Sequence, residues 1–251
     1  MSARPAGRLT LLVASPRVAP GLLSRDAWRC LDGADEVWAA AADEPLAETL
    51  VEHGIRVAVL EEGSSPPYAA RRLVAAAGAA EVVWLGSADG DPGLSDAVAA
   101  EVTRLPEPPE VEVLVGSWDV PGSRLLDVVA VMDRLRSPGG CPWDAEQTHE
   151  SLLRYLHEEA GELDEAVRSG DQAHIAEELG DVLLQVAFHA RVAQEDPDAP
   201  FDIDDVAGGL VAKLVRRHPH VFADGDASTP AEVEEAWARI KAEEKAERAR
   251  G

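Results

Sequence analysis

The chain has 251 residues, 46% of them hydrophobic and 28% charged, close to two domains of roughly 150 residues each. This composition excludes wholesale disorder and collagen-like or disulfide scaffolds. With 47 acidic against 23 basic side chains the net charge is -24; such a field repels a phosphate backbone and excludes long nucleic acid as a main partner. Aromatic residues are only 4%, so the core must be built from Ala, Val and Leu, which argues against an all-β fold. Cys30 and Cys141 stand apart with no Cys-x-x-Cys or histidine cluster, a pattern of reduced thiols rather than a disulfide frame or zinc site. No apolar run approaches about 18 residues, and the start of the chain, with Arg4, Arg8 and Arg17 around a short apolar run, does not read as an export signal. A cytoplasmic protein, not membrane-bound, is the expectation.

Short apolar or β-branched runs at 9–14, 36–40, 55–60, 81–85 and 111–115 alternate with Ala- and Leu-rich segments of helical length near 22–31, 45–53, 69–79 and 94–104. Such alternation predicts βαβ units around a short, mostly parallel sheet, so residues 1–118 read as an α/β domain. Pro106, Pro108 and Pro109, followed by Pro121-Gly122, interrupt any helix and place the domain boundary between 105 and 123.

From residue 124 apolar residues recur three and four apart, which predicts an all-α domain over 124–251 with helices near 124–136, 146–168, 172–195, 203–217 and 230–249. The breakers between them include Pro138-Gly139-Gly140, Ser169-Gly170 and His218-Pro219. The shortness of Ser169-Gly170 makes its two flanking helices antiparallel neighbours. The last helix begins amphipathic and becomes almost wholly charged, so its end is expected to be solvated.

Two acidic clusters stand out, Glu158-Glu159-x-x-Glu162 and Glu177-Glu178-x-x-Asp181. Either alone most often marks a water-facing helix side. Helical angles separate them from that reading. Around the stripe Leu152, Leu156, Leu163 and Val167, Glu159 lies about 50° from the centre and Glu158 about 150°. Around Ile175, Leu179, Val182 and Val186, Glu178 lies about 70° from the centre, with Asp181 three residues on. Antiparallel packing through these stripes would gather Glu159, Glu162, Glu178 and Asp181 along one seam. Four such carboxylates need a cation. An all-oxygen donor set favours Mg2+, with Mn2+ also fitting; a ferritin-like iron site would want Glu-x-x-His, whereas the third residue after each leading glutamate of the two clusters is Gly161, Glu162, Gly180 or Asp181.

Further along, Lys213 and Arg217 are four apart, as are Trp237 and Lys241. In so acidic a chain these cations are candidates for gripping polyphosphate; the plainer alternative for Lys213 and Arg217 is surface pairing with Asp204 or Asp205. Trp237 is a core anchor or a base-stacking platform, and His218 and His220 flank Pro219 as helix-end caps, with a catalytic histidine the lesser alternative.

Taken in order, Cys141-Pro142-Trp143-Asp144-x-x-Gln147-Thr148, Glu158-Glu159-x-x-Glu162, Glu178-x-x-Asp181, the run from Arg216 to Phe222 and Trp237-x-x-x-Lys241 resemble the MazG family of nucleoside triphosphate pyrophosphohydrolases. The resemblance spans about 124–249. It implies an all-α, four-helix-type fold, a homodimer, and cleavage of a nucleoside triphosphate between its α- and β-phosphates to give the monophosphate and pyrophosphate. By position, Glu159, Glu162, Glu178 and Asp181 match the family's metal-binding residues, and Glu158 matches the first glutamate of the motif, with its role open. Lys213 and Arg217 match the phosphate-contacting pair, and Trp237 and Lys241 a nucleotide-contacting pair. Longer members carry two such helical domains in tandem; the present one matches the first. Residues 1–118 resemble a truncated, degenerate tetrapyrrole (S-adenosylmethionine-dependent) methylase domain through the run 9–24, Ala34-Asp35-Glu36-Val37-Trp38 and Gly90-Asp91-Pro92-Gly93. There Ala14-Ser15-Pro16-Arg17 replaces a glycine-rich turn, so no methyl transfer is expected. Two further readings stand beside the enzyme: a non-catalytic Mg2+-binding dimeric regulatory module, and a cofactor-binding methylase relative.

Overall fold

The computed structural model describes residues 7–61 and 63–249, and the chain forms two compact units, one ending at Arg124 and one starting at Leu125. The first is α/β. Its strands β1 (Arg8–Ala14), β2 (Glu36–Ala39), β3 (Val57–Val59), β4 (Glu81–Ser87) and β5 (Glu110–Val115) form one parallel sheet in the order β3-β2-β4-β1-β5. Between them run α1 (Arg25–Gly33), α2 (Pro45–Glu52), α3 (Pro66–Ala76) and α4 (Leu94–Arg104). The short parallel sheet expected from the alternation is there, and α3 starts three residues early because Pro66 is preorganised for a first helical turn.

Strand pleating divides the core in two. Leu9, Leu11 and Trp84 face α3 and α4, whereas Leu12, Val83 and Leu85 face α1 and α2. Crossovers from β1 and β4 therefore leave toward opposite faces. The ends of these two strands form the switch point where doubly wound sheets open a crevice. A cavity of about 330 Å3 lies there, bordered by Ser15, Glu44, Asp91 and Ser117. The loop after β1 is filled by side chains instead of glycine: the Arg17 side chain, 2% exposed, pairs with Asp89 and Asp119, and Ser15 Oγ donates to Asp119.

The second unit is all-α: α5 (Arg124–Arg136), α6 (Pro142–Glu146), α7 (His149–Ser169), α8 (Gln172–Ala193), α9 (Ile203–Arg217), α10 (Pro219–Phe222) and α11 (Pro230–Arg248). The helix expected over 146–168 begins instead at His149. Thr148 and Ser151 close a capping box there, and Pro142–Glu146 becomes a separate turn. Gly170 ends α7 in the left-handed conformation at φ 76°, and two residues later α8 starts, giving the expected antiparallel hairpin. Met132, Leu152 and Phe188 pack between α5, α7 and α8. No helix of the described residues is long and apolar enough to cross a membrane.

Arg136 fastens this unit. Its side chain is 3% exposed and reaches Glu195 with Nε and Nη2, while Nη1 donates to the carbonyls of Asp144 and Gln147. One guanidinium thus joins α5, the α6 turn and the end of α8, and these hydrogen bonds hold the Glu195 carboxyl below its ordinary range. Replacing Arg136 by Ala removes the charge partner and orphans two carbonyls; a loss of about 3 kcal/mol is expected by urea denaturation.

Candidate functional site

Helices α7 and α8 each carry two acidic residues one turn apart, and their antiparallel packing sets the two pairs side by side. Asp171 caps α8 by accepting from the backbone N–H groups of Ala173 and His174, which fixes where its first turn begins. At the other end His149 stacks on His189 with ring centroids 5.1 Å apart, so the hairpin is pinned in register along its length.

Three of the carboxylates converge. Glu159, Glu178 and Asp181 each offer an oxygen, and these oxygens all lie within 4.8 Å of one another. Glu178 is buried, 6% exposed; His174 Nε2 lies 3.0 Å from its Oε1, and its buried Oε2 has no hydrogen-bond partner. Glu162 is exposed, outside the triplet but close enough to feel it. Glu158 is exposed and outside the triplet, although its charge still acts on Glu159 and Glu162.

The apolar stripes need correction. On α8, Leu179 and Val186 are 53% and 41% exposed, while the buried residues are Glu178, Gln185, Ala187, Phe188, Ala190 and Ala193. On α7, Ala166 is buried and Val167 exposed. Glu178 is therefore itself buried, not a flank residue beside an apolar stripe. The physical reason is that apolar residues occur around much of α8, both buried Phe188 and exposed Leu179, Leu184 and Val186, so periodicity alone does not select the buried side.

Crowding governs the electrostatics. Burial first, then the charges of Asp181, Glu162, Glu158 and Glu178, hold the Glu159 carboxyl above its ordinary range. Glu162 is raised too, first by Glu178. A cation answers both problems, since it neutralises the cluster and gives Glu178 Oε2 a partner. Oxygen-only donors fit a hard divalent ion, with His174 orienting Glu178 from behind.

The cationic candidates form another group, on α9 and α11. Lys213 and Lys241 are exposed. Arg217 does not pair with Asp204 or Asp205; Asp205 is used in a capping box with Asp202, and Arg217 binds Glu244 of α11. His218 caps α9 and accepts a ring contact from Trp237 at 5.1 Å, edge to face. The Trp237 Nε1 is buried without a partner. Among the described residues no hydrogen bond or ion pair links this group to the carboxylates.

Sequence reasoning passed over His174, Gln185 and Glu244. His174 was findable from its i,i+4 spacing to Glu178, and Glu244 from its place seven residues after Trp237. Gln185 carried no signal, because a buried amide looks like any polar residue until its surroundings are known; its Oε1 is buried without a partner.

Residues 147–222 match the family model of the MazG nucleotide pyrophosphohydrolase domain. The chain is 58% identical over 163 residues to an uncharacterized 26.1 kDa protein in the blaB 3' region of Streptomyces cacaoi, covering 64% of this chain and 66% of that protein. It is 50% identical over 153 residues to a nucleoside triphosphate pyrophosphohydrolase of Mycolicibacterium smegmatis, covering 58% of this chain and 46% of that one. A crystal structure of a mazG-related protein from Thermotoga maritima is 34% identical and covers 47% of this chain and 96% of its own, at a TM-score of 0.38. The chain thus spans about half the length of the curated relatives it matches.

The raised carboxyls set a pH dependence. Glu159 and Glu162 hold protons more tightly folded than unfolded. Their contribution to stability is therefore full below the unfolded range near about pH 4 and is lost as pH rises through the folded values. In EDTA, thermal unfolding should show Glu162→Gln more stable than the parent at pH 7 and indistinguishable from it at pH 3.5. Mg2+ should stabilise the parent at pH 7, by about 2.7 kcal/mol at a hundredfold excess over Kd, and lose that effect in acid.

Proposed function

The chain belongs to the MazG family, and on that premise we propose that its helical unit hydrolyses nucleoside triphosphates to the monophosphate and pyrophosphate. The observation that carries the reading is the convergence of Glu159, Glu178 and Asp181 on one point with a buried, unpartnered Glu178 oxygen. Those three, with Glu162 alongside, would hold Mg2+ or Mn2+. A divalent cation so held supplies charge neutralisation for phosphate oxygens and acidifies a nearby water.

The chain's own residues do the rest. Lys213, Arg217 and Lys241 take the charge that builds on departing pyrophosphate, and Trp237 contributes its ring face and its unpartnered Nε1 to the nucleotide. Glu158 stays an outer carboxylate beside the cluster. No protein nucleophile is required, so the reaction is direct hydrolysis by water.

A homodimer accords with the exposed apolar residues. Leu179 and Val186 on α8, and Val206, Leu210 and Leu214 at helical spacing on α9, are open to solvent in the single chain, and α9 buries no residue at all among those described. Free Cys30 and Cys141 and a nucleotide substrate support a cytoplasmic setting. The unit ending at Arg124 is read as a truncated methylase-like domain without transfer activity, since Arg17 fills the turn after β1.

Incubation with each of the eight common triphosphates and Mg2+, assayed for pyrophosphate against orthophosphate, tests the reading. Pyrophosphate is expected; its absence with every substrate would leave the non-catalytic Mg2+-binding module in its place. Glu159→Gln and Asp181→Asn should each lower turnover by about 100-fold or more while circular dichroism shows the helices intact. Near-parental turnover by both variants would remove these residues from the site.

A further inference from the structure

Two arginines converge on one carboxylate where α9 meets α11. Glu244 Oε1 accepts from Arg216 Nε at 2.8 Å and from Arg217 Nε at 3.3 Å, and Glu244 Oε2 accepts from Arg217 Nη2 at 2.7 Å. Arg216 Nη2 adds a contact at 2.6 Å. Glu244 is 11% exposed, although it lies in the charged end of α11 where sequence pattern puts only solvated side chains. Its carboxyl is held down to about 2, first by Arg217 and then by Arg216, so it stays ionised at neutral pH.

The edge that is used matters. A guanidinium has five N–H donors and two sides able to grip a carboxylate or phosphate in bidentate fashion. Glu244 engages Arg217 along Nε and Nη2, so the Nη1 hydrogens are left to another anion. With two guanidiniums against one carboxylate the cluster also keeps a net positive charge. Glu244 follows Lys241 by three residues and Trp237 by seven, so it shares their side of α11. The contact therefore ties the helix bearing Trp237 and Lys241 to the helix bearing Arg217.

We propose that Glu244 is a positioning residue that holds Arg217 with its free edge presented to the substrate's phosphates, rather than a carboxylate that competes with them. The inference rests on the proposed function for the identity of that anion. Losing Glu244 would release a long, flexible side chain whose ordering must then be supplied by the ligand.

Calorimetric titration of the full chain with a non-hydrolysable α,β-methylene nucleoside triphosphate and Mg2+ provides the test, on the parent, Glu244→Gln, Arg217→Lys and the double variant. Glu244→Gln should bind about tenfold more weakly, and the double variant no more weakly than Arg217→Lys alone, because the two residues act as one unit. Titration with Mg2+ alone should be unchanged by Glu244→Gln, a readout that general loosening of the fold would disturb. Should Glu244→Gln lower the thermal midpoint by more than about 5 °C, Glu244→Asp carries the same comparison. Tighter binding by Glu244→Gln would make the carboxylate a competitor and overturn the inference, as would unchanged affinity or losses that simply add in the double variant. No binding by the parent would overturn this inference and the proposed function together, whereas binding by the parent with an unaffected Glu244→Gln would overturn this inference alone.

Discussion

Repulsion between carboxylates held on two packed helices is the constraint on which the helical unit depends. Glu178 is buried on α8, where an apolar residue would be less costly, and Glu159 and Asp181 crowd against it. A lone buried carboxylate with one oxygen unpartnered is destabilising. The arrangement makes physical sense when a cation is the missing partner, and it explains why the hairpin is reinforced elsewhere: by the Thr148 capping box, the αL turn at Gly170, the Asp171 cap and the stacked His149–His189 pair.

The cationic side of the unit follows a different logic. Its arginines are exposed or half-exposed, and exposed ion pairs are individually weak, yet Arg216, Arg217 and Glu244 form a shared network rather than an isolated pair. The structure thus separates an anionic group on one hairpin from a cationic group on α9 and α11. Under the proposed function the two signs of charge would divide the work at a polyphosphate, the carboxylates holding a cation and the arginines and lysines meeting the phosphates.

The α/β unit is organised on its own terms. Its switch-point crevice between β1 and β4 is of the kind that holds ligands in doubly wound sheets, but the turn that would approach a cofactor closely is occupied by the Arg17–Asp89–Asp119 cluster. Asp91 is engaged by Trp84 Nε1 at 2.7 Å. The fold persists because it depends on the pleat and the packing of Leu, Val and Ala, not on the residues of that turn.

The sequence by itself determined the fold classes and most helix positions, because apolar periodicity and Pro-Gly breakers are local and each helix end carries its own cap. It also singled out Glu159, Glu162, Glu178 and Asp181, since residues three or four apart share a helix side whatever surrounds them; which three of the four converge was decided by packing. Tertiary structure alone decided which residues of α8 are buried and that Arg217 turns to Glu244 instead of Asp204 or Asp205. Those outcomes depend on partners separated by tens of residues in the chain. Periodicity gives the direction in which a side chain points along its own helix; only packing determines what it meets there.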